Sequence, residues 1–154
     1  MTLNQVLDLS YPEGFHILDE AERSKLQFIA DGPGEVLSDP DRHITMSFGW
    51  NTLNGFTALL IGTHDVAMKM KTAIASSSAP YGYKEEQDLK RPLGGQTAEG
   101  IRFTYTAQDV PMTGESYVVK YKKTLYYFHY YTRTALWETN KPVWDSILDS
   151  VSWK

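Results

Sequence analysis

The chain contains no cysteine. Disulfides, thiolate metal sites, iron–sulfur clusters and cysteine nucleophiles are therefore excluded. Long apolar runs are also missing. The longest aliphatic stretch, Ala58-Leu59-Leu60-Ile61, is far short of the roughly 20 residues that a spanning helix needs, so no membrane insertion is expected. Met1 to Asp8 shows no basic segment leading into an apolar one, and no glycine follows Met1 for acylation. With Met1 as the natural start, this reads as a cytoplasmic protein. Positive charge is not in excess: 15 Lys and Arg face 19 Asp and Glu, a formal net charge of -4. That balance argues against nucleic acid as a partner, because neutralising phosphates requires clustered cations. Gly94-Gly95 lacks the Lys-Ser/Thr sequel of a phosphate loop, and no dinucleotide-binding glycine pattern occurs.

What is present fits one folded domain over residues 1–154. Hydrophobic residues make up 42% and charged residues 22%, both ordinary for a globular chain and too balanced for disorder. Ile44, Met46, Phe48 and Trp50 alternate with Thr45, Ser47 and Gly49, the period of a half-buried strand. Ile101, Phe103, Tyr105 and Ala107 alternate in the same way with Arg102, Thr104 and Thr106. Leu3 to Leu9 reads as a short first strand and Tyr83 to Lys90 as a polar strand near an edge. Its Glu85, Glu86 and Asp88 would discourage edge-to-edge association. Asp19 to Phe28 reads as a short helix capped by Asp19, with Leu26 inward and a break at Asp31-Gly32-Pro33-Gly34. The segment Thr52 to Thr63 fits neither period cleanly. From His64 to Ser78, Val66, Met70, Ala73 and Ile74 form the stripe of a helix that Pro80 ends. A last helix is expected over Pro142 to Ser150, with Pro142 in its first turn and Asn140 as a start signal.

Six of the ten tyrosines, Tyr117, Tyr121, Tyr126, Tyr127, Tyr130 and Tyr131, fall in one hairpin turning at Lys122-Lys123, after a turn at Pro111-Met112-Thr113-Gly114. Leu125, Tyr127, His129 and Tyr131 share one face of its second strand, and Tyr126, Phe128 and Tyr130 share the other. A strand that is apolar on both sides is covered on both sides, so this hairpin belongs at the centre of the sheet. Neighbouring strands joined by short turns make the sheet antiparallel and the class α+β.

The candidate chemistry is sparse. Asp39, Asp41 and His43 would suit a divalent cation, but Asp-Pro-Asp is ordinary turn chemistry and that reading is preferred. His64-Asp65 opens a helix, where Asp65 serves as a first-turn cap. His129 among tyrosines would suit either a buried acid–base or a core histidine bonded to a neighbour. Arg102, Thr104 and Thr106 would receive an anion or a peptide carboxylate if their face were open. Tyrosines supply contact area at low entropy cost, so Tyr117, Tyr127 and Tyr131 are candidates for a binding surface.

From Leu37 to Trp153 the layout resembles the PsbP-like superfamily, which includes PsbP, the Ran-binding Mog proteins and bacterial DcrB-related domains. The resemblance rests on Asp41-Arg42-His43-Ile44 to Trp50 with its following helix, and on Tyr81-Gly82-Tyr83. It continues through Gly94-Gly95, Ala98, Gly100, Phe103 and Tyr105, then Tyr131-Thr132-Arg133. It closes on Trp144, Ile147-Leu148, Ser150-Val151 and Trp153. It implies an antiparallel sheet with helices packed on both faces, an α/β/α sandwich, and no shared active site. Members mostly bind proteins or act as accessory factors, and bacterial DcrB relatives include lipoproteins and small dimeric chaperones for toxin transmembrane segments. With Met1 as the natural start, the chain is expected to differ from those lipoproteins in having neither a leader nor a lipidated cysteine. The expectation is a bacterial, non-enzymatic protein-binding or chaperone-like domain with no cofactor and no metal. Its partner would be a second protein or a second copy in a homodimer. The alternative is a small-molecule binder or weak hydrolase with a pocket beside Arg102 and His129, which requires those two side chains to share a face.

Overall fold

The computed structural model describes residues 1–26 and 32–154. Seven strands form one antiparallel sheet. In spatial order they are β3 (His16–Ile17), β4 (Gly34–Asp39), β5 (Ile44–Thr52), β9 (Thr124–Arg133), β8 (Val110–Tyr121), β7 (Gln96–Ala107) and β6 (Lys84–Leu93). A smaller sheet joins β1 (Thr2–Leu3), β2 (Leu7–Asp8) and β10 (Ser152–Trp153). The helices are α1 (Glu20–Arg23), α2 (Gly55–Leu60), α3 (Thr63–Ser78) and α4 (Trp137–Asp149).

The tyrosine-rich hairpin occupies the middle of the sheet, as its two apolar faces require. Strand β9 pairs with β5 on one side and with β8 on the other, in a register that aligns Met46, Tyr130 and Glu115 in one row and Ser47, His129 and Ser116 in the next. Because side chains alternate along a strand, these rows point to opposite faces. On the first face, Phe48, Val119, Tyr126, Phe128 and Tyr130 pack against Trp144, Ile147 and Leu148 of α4. The rings of Tyr130 and Trp144 stack at 4.8 Å, and Leu3, Leu7 and Leu9 close the same core. On the second face, Val118 and Leu125 meet Val66, Ala67 and Met70 of α3. The outer strand β6 is exposed, charged and bulged between Glu85 and Gln87, a poor template for adding another strand.

Several boundaries differ from those the residue pattern suggests, each for a local reason. Leu3 to Leu9 is a tight hairpin and not one strand, because Asn4 and Gln5 take left-handed conformations (φ 49° and 57°). The turn before the central hairpin uses Gln108-Asp109, both left-handed (φ 49° and 63°), the geometry that matches strand twist. Pro111 therefore lies in β8, opposite Thr106. Helix α4 begins at Trp137, and Pro142 lies inside it. Pro142 has no amide hydrogen to donate to the carbonyl of Glu138 one turn back, and Glu138 is an exposed residue. Asn140 is a helix interior residue whose amide donates to the Arg42 carbonyl and to Thr132 Oγ1. The capping box of α1 forms between Asp19 and Glu22, but the helix ends at Arg23 and Leu26 is exposed. Phe28 and Asp31, the expected end and break, lie outside the described residues.

Gly100 is demanded by close approach. A Cβ on Gly100 would sit 2.0 Å from the Ser116 carbonyl oxygen and 2.9 Å from the Tyr117 ring. Gly100→Ala is expected to push β7 off β8 and to lower the unfolding free energy by about 2 kcal/mol or more, read from the urea midpoint against the wild type.

Candidate functional site: a cleft between helix α3 and the sheet

The two faces of the sheet are not filled equally. Helix α3 leans on β7 and β8. Over β4 and β5 the sheet carries Gly34, Ser47 and Gly49, which have little bulk. Among the described residues a cleft of about 890 Å³ remains there, walled by Val66, Met70 and Ile74 of α3 and floored by Val36, Gly49 and Tyr127. Gly34 and Gly49 are register partners with different reasons for being glycine. A Cβ on Gly34 would clash with the Phe48 carbonyl at 2.5 Å, whereas one on Gly49 would meet, among the described residues, only the Pro33 carbonyl at an ordinary 3.7 Å. Nothing in the backbone requires glycine at 49, and its lack of a side chain leaves the floor open.

One end of the cleft is polar. Strand β9 presents Tyr127, His129 and Tyr131 side by side, their rings within 13° of parallel and 6.4 Å apart. His129 Nδ1 lies 2.7 Å from Ser116 Oγ on the neighbouring strand. Burial pushes the imidazole pKa down to about 4, and burial raises the Tyr131 phenol to about 12 against an opposing Ser116 hydrogen bond. Both rings are thus neutral near pH 7 and offer hydrogen bonds without charge. Ser116 is 0% exposed, which denies its hydroxyl the approach to a substrate that nucleophilic catalysis needs. Its side chain fixes the imidazole.

Arg102, Thr104 and Tyr117 lie on the opposite face. Tyr117 packs in the α4-side core, and burial together with Glu115 raises its phenol pKa. Arg102 faces Glu115 across the β7–β8 register, while Ser116, the next residue, faces His129. The pocket shared by Arg102 and His129 is therefore not formed, because alternation sends the two side chains through opposite sides of the sheet. Thr104 and Thr106, two and four residues on from Arg102, follow it. Arg102 does hold a carboxylate, but an internal one: its Nε donates to Glu115 Oε2 at 2.9 Å and its guanidinium lies 5.0 Å over the Trp137 ring. Glu115 is 0% exposed.

Of the remaining candidates, Asp39 accepts from the amides of Asp41 and Arg42 and pairs with the Arg42 guanidinium. Its oxygens are spent on the turn. Asp65 accepts from the Gly62 amide at the start of α3, and His64 Nδ1 meets Glu99 at 2.9 Å. The cleft thus gathers three of the six predicted binding residues, Tyr127, His129 and Tyr131. It adds Gly49 and Met70, and the buried Ser116 that holds the His129 ring without lining the cleft, all of which sequence reasoning missed. Ser116 was findable only through the hairpin register, and Gly49 only through the space beside it.

Neither a protein-family model nor a curated protein matches the sequence. Solved structures do match the fold. The cyanobacterial PsbP (CyanoP) of Synechocystis sp. PCC 6803 superposes with a TM-score of 0.68 at 16% identity, over 97% of this chain and 93% of that one. LpqN of Mycobacterium tuberculosis, involved in cell envelope biogenesis, gives 0.65 at 16% identity, over 96% and 83%. The immunity protein TplEi of T6SS from Pseudomonas aeruginosa, complexed with the "L" peptide, gives 0.51 at 14% identity, over 97% of this chain and 59% of that one. The chain has the PsbP-like fold.

Two outcomes follow from the polar groups. Because His129 is held neutral, the unfolded chain takes up a proton between pH 6.5 and 4 that the folded chain refuses. The stability tied to His129 is complete above pH 6.5 and is lost as pH falls toward 4, by on the order of 1–3 kcal/mol. Denaturation midpoints across this window should slope more steeply in the wild type than in His129→Phe. On the other face, Arg102→Ala leaves the Glu115 carboxylate buried without its partner and is expected to cost about 3–5 kcal/mol. Arg102→Ala combined with Glu115→Gln should recover part of that loss in chemical denaturation.

Proposed function

We propose that this domain is a non-catalytic binding module that receives an apolar segment of another protein in the cleft between α3 and the sheet. The observation that carries the reading is the open floor at Gly49 beneath a largely apolar wall. A core under selection for packing alone gains stability from a side chain there, since glycine in a strand costs order and contacts. A cleft of this size lies in the range of built ligand sites, and the row of Tyr127, His129 and Tyr131 supplies flat surfaces and neutral hydrogen-bonding groups at one end. The peptide complex of the similarly folded immunity protein is in keeping with a peptide-sized occupant. Partner recognition, and not turnover, also fits a buried serine and a histidine held neutral.

A small apolar molecule is the second reading, favoured by the same volume. The two are separated by probe size. A fluorescently labelled Ala/Leu peptide should bind saturably, and Gly49→Leu should weaken it about tenfold or more while leaving the thermal midpoint equal or higher. Thr104→Ala, on the far face, should bind as the wild type does. Binding of anilinonaphthalene sulfonate that is lost in Gly49→Leu, with no peptide binding, would favour the small molecule. Peptide binding indifferent to Gly49→Leu would refute the cleft as the site.

A further inference from the structure

Helix α2 is built inside out. Its small Ala58 is buried, whereas Phe56, Leu59 and Leu60 are 75%, 86% and 66% exposed. Their spacing of three and four residues puts the three large side chains on one face, and that face points to solvent. The helix is nonetheless held firmly. Asn54 caps it by accepting from the Thr57 amide at 2.8 Å. The Lys120 ammonium donates to the carbonyls of Ala58 and, at 2.8 Å, Ile61, and the Leu53 amide donates to the Lys123 carbonyl at 2.7 Å. The segment from Thr52 to Thr63 carries no charge. The turn it rests on supplies the charge: Lys122 and Lys123 are exposed, and among the described residues neither is within ion-pair distance of a carboxylate. The Lys123 ammonium lies beside the start of α2, 3.8 Å from where a Cβ on Gly55 would be. A chain of net charge -4 thus places two cations that have no carboxylate partner among the described residues on the turn beneath α2, Lys123 at the helix start and Lys122 5.2 Å over the Tyr121 ring.

We infer that α2 and the Lys122-Lys123 turn form a docking face for an anionic lipid bilayer. The apolar trio enters the boundary between headgroups and acyl chains, and the two ammonium groups meet the negative headgroups. The charge pattern selects this occupant. A protein partner matched only to the trio gives the lysines no role, and an anionic polymer gives the trio none. The rigid anchoring of α2 means that little order is lost on docking. The contact is peripheral, requires no spanning segment, and stands apart from the cleft reading, because Phe56, Leu59 and Leu60 do not line the cleft.

Co-sedimentation with vesicles of phosphatidylcholine, with and without phosphatidylserine, tests this on the full chain. The wild type should partition onto the phosphatidylserine vesicles and weaken as salt is raised. Phe56→Ser with Leu59→Ser and Leu60→Ser should lower partitioning about tenfold or more, and Lys122→Glu with Lys123→Glu should do the same, on vesicles that hold both attractions. Met68→Ser, which removes an apolar side chain that is 52% exposed on α3, should change nothing. All these positions are exposed, and circular dichroism and the thermal midpoint should stay as in the wild type. No partitioning, or partitioning equal in every variant, overturns the inference. So does a concentration-dependent dimer in lipid-free sedimentation that the serine variant abolishes, because the face then belongs to a second copy.

Discussion

Tyr126, Phe128 and Tyr130 leave β9 on one side, and Leu125, Tyr127, His129 and Tyr131 leave it on the other, so the sheet has to be roofed twice. Leaving either row in water would forfeit roughly 1.5–3 kcal/mol for each large apolar side chain, more than a domain of ordinary stability can lose several times over. That requirement puts the hairpin in the middle of the sheet, assigns α4 to one face and α3 to the other, and relegates the charged strand β6 to the edge. It also separates Arg102 from His129, because they face Glu115 and Ser116, two neighbouring residues of β8 whose side chains leave on opposite sides.

The two roofs are finished differently. Under α4 the space is closed by Trp144 stacked on Tyr130, and the buried Glu115 carboxylate is paired through one oxygen with Arg102, which lies over Trp137. Under α3 the aliphatic contact with Val118 and Leu125 covers only part of the sheet, and Ser47 and Gly49 leave the rest low. The polar rings in the open part are neutral, and His129 is bonded to the buried Ser116. A face that is filled and charge-matched contributes cohesion, and a face left concave contributes contact.

Much of the architecture was legible from residue order alone. The two-residue periods of Ile44 to Trp50 and Ile101 to Ala107, the doubly apolar hairpin and the stripe from Val66 to Ile74 each name an element and its buried side, although Ala73 of that stripe is exposed. The resemblance to PsbP-like proteins pointed to the fold that the structural comparisons show. Less was legible of the site. Which face Tyr127 or Tyr117 occupies follows from alternation, but which face is open depends on where α3 lands, a tertiary outcome with no local signal. Turns formed by Asn4-Gln5 and Gln108-Asp109 were hidden because those residues tolerate left-handed backbone without demanding it, as glycine does. Pro142 misled for the opposite reason: the strong local rule that puts proline in the first helical turn was overridden by a helix that starts five residues earlier, at Trp137.

The central claim is that the α3 face is receptive and the α4 face is closed. Methionine methyl groups report both, since Met70 walls the cleft and Met46 lies in the sealed core, among five methionines in all. The direct measurement is the shift of the methyl resonances when benzene, a small apolar probe, is added to protein labelled at the methionine methyl carbons. The account predicts that Met70 moves and saturates while Met46 stays fixed. A response at Met46 equal to that at Met70, or none at either, would contradict it.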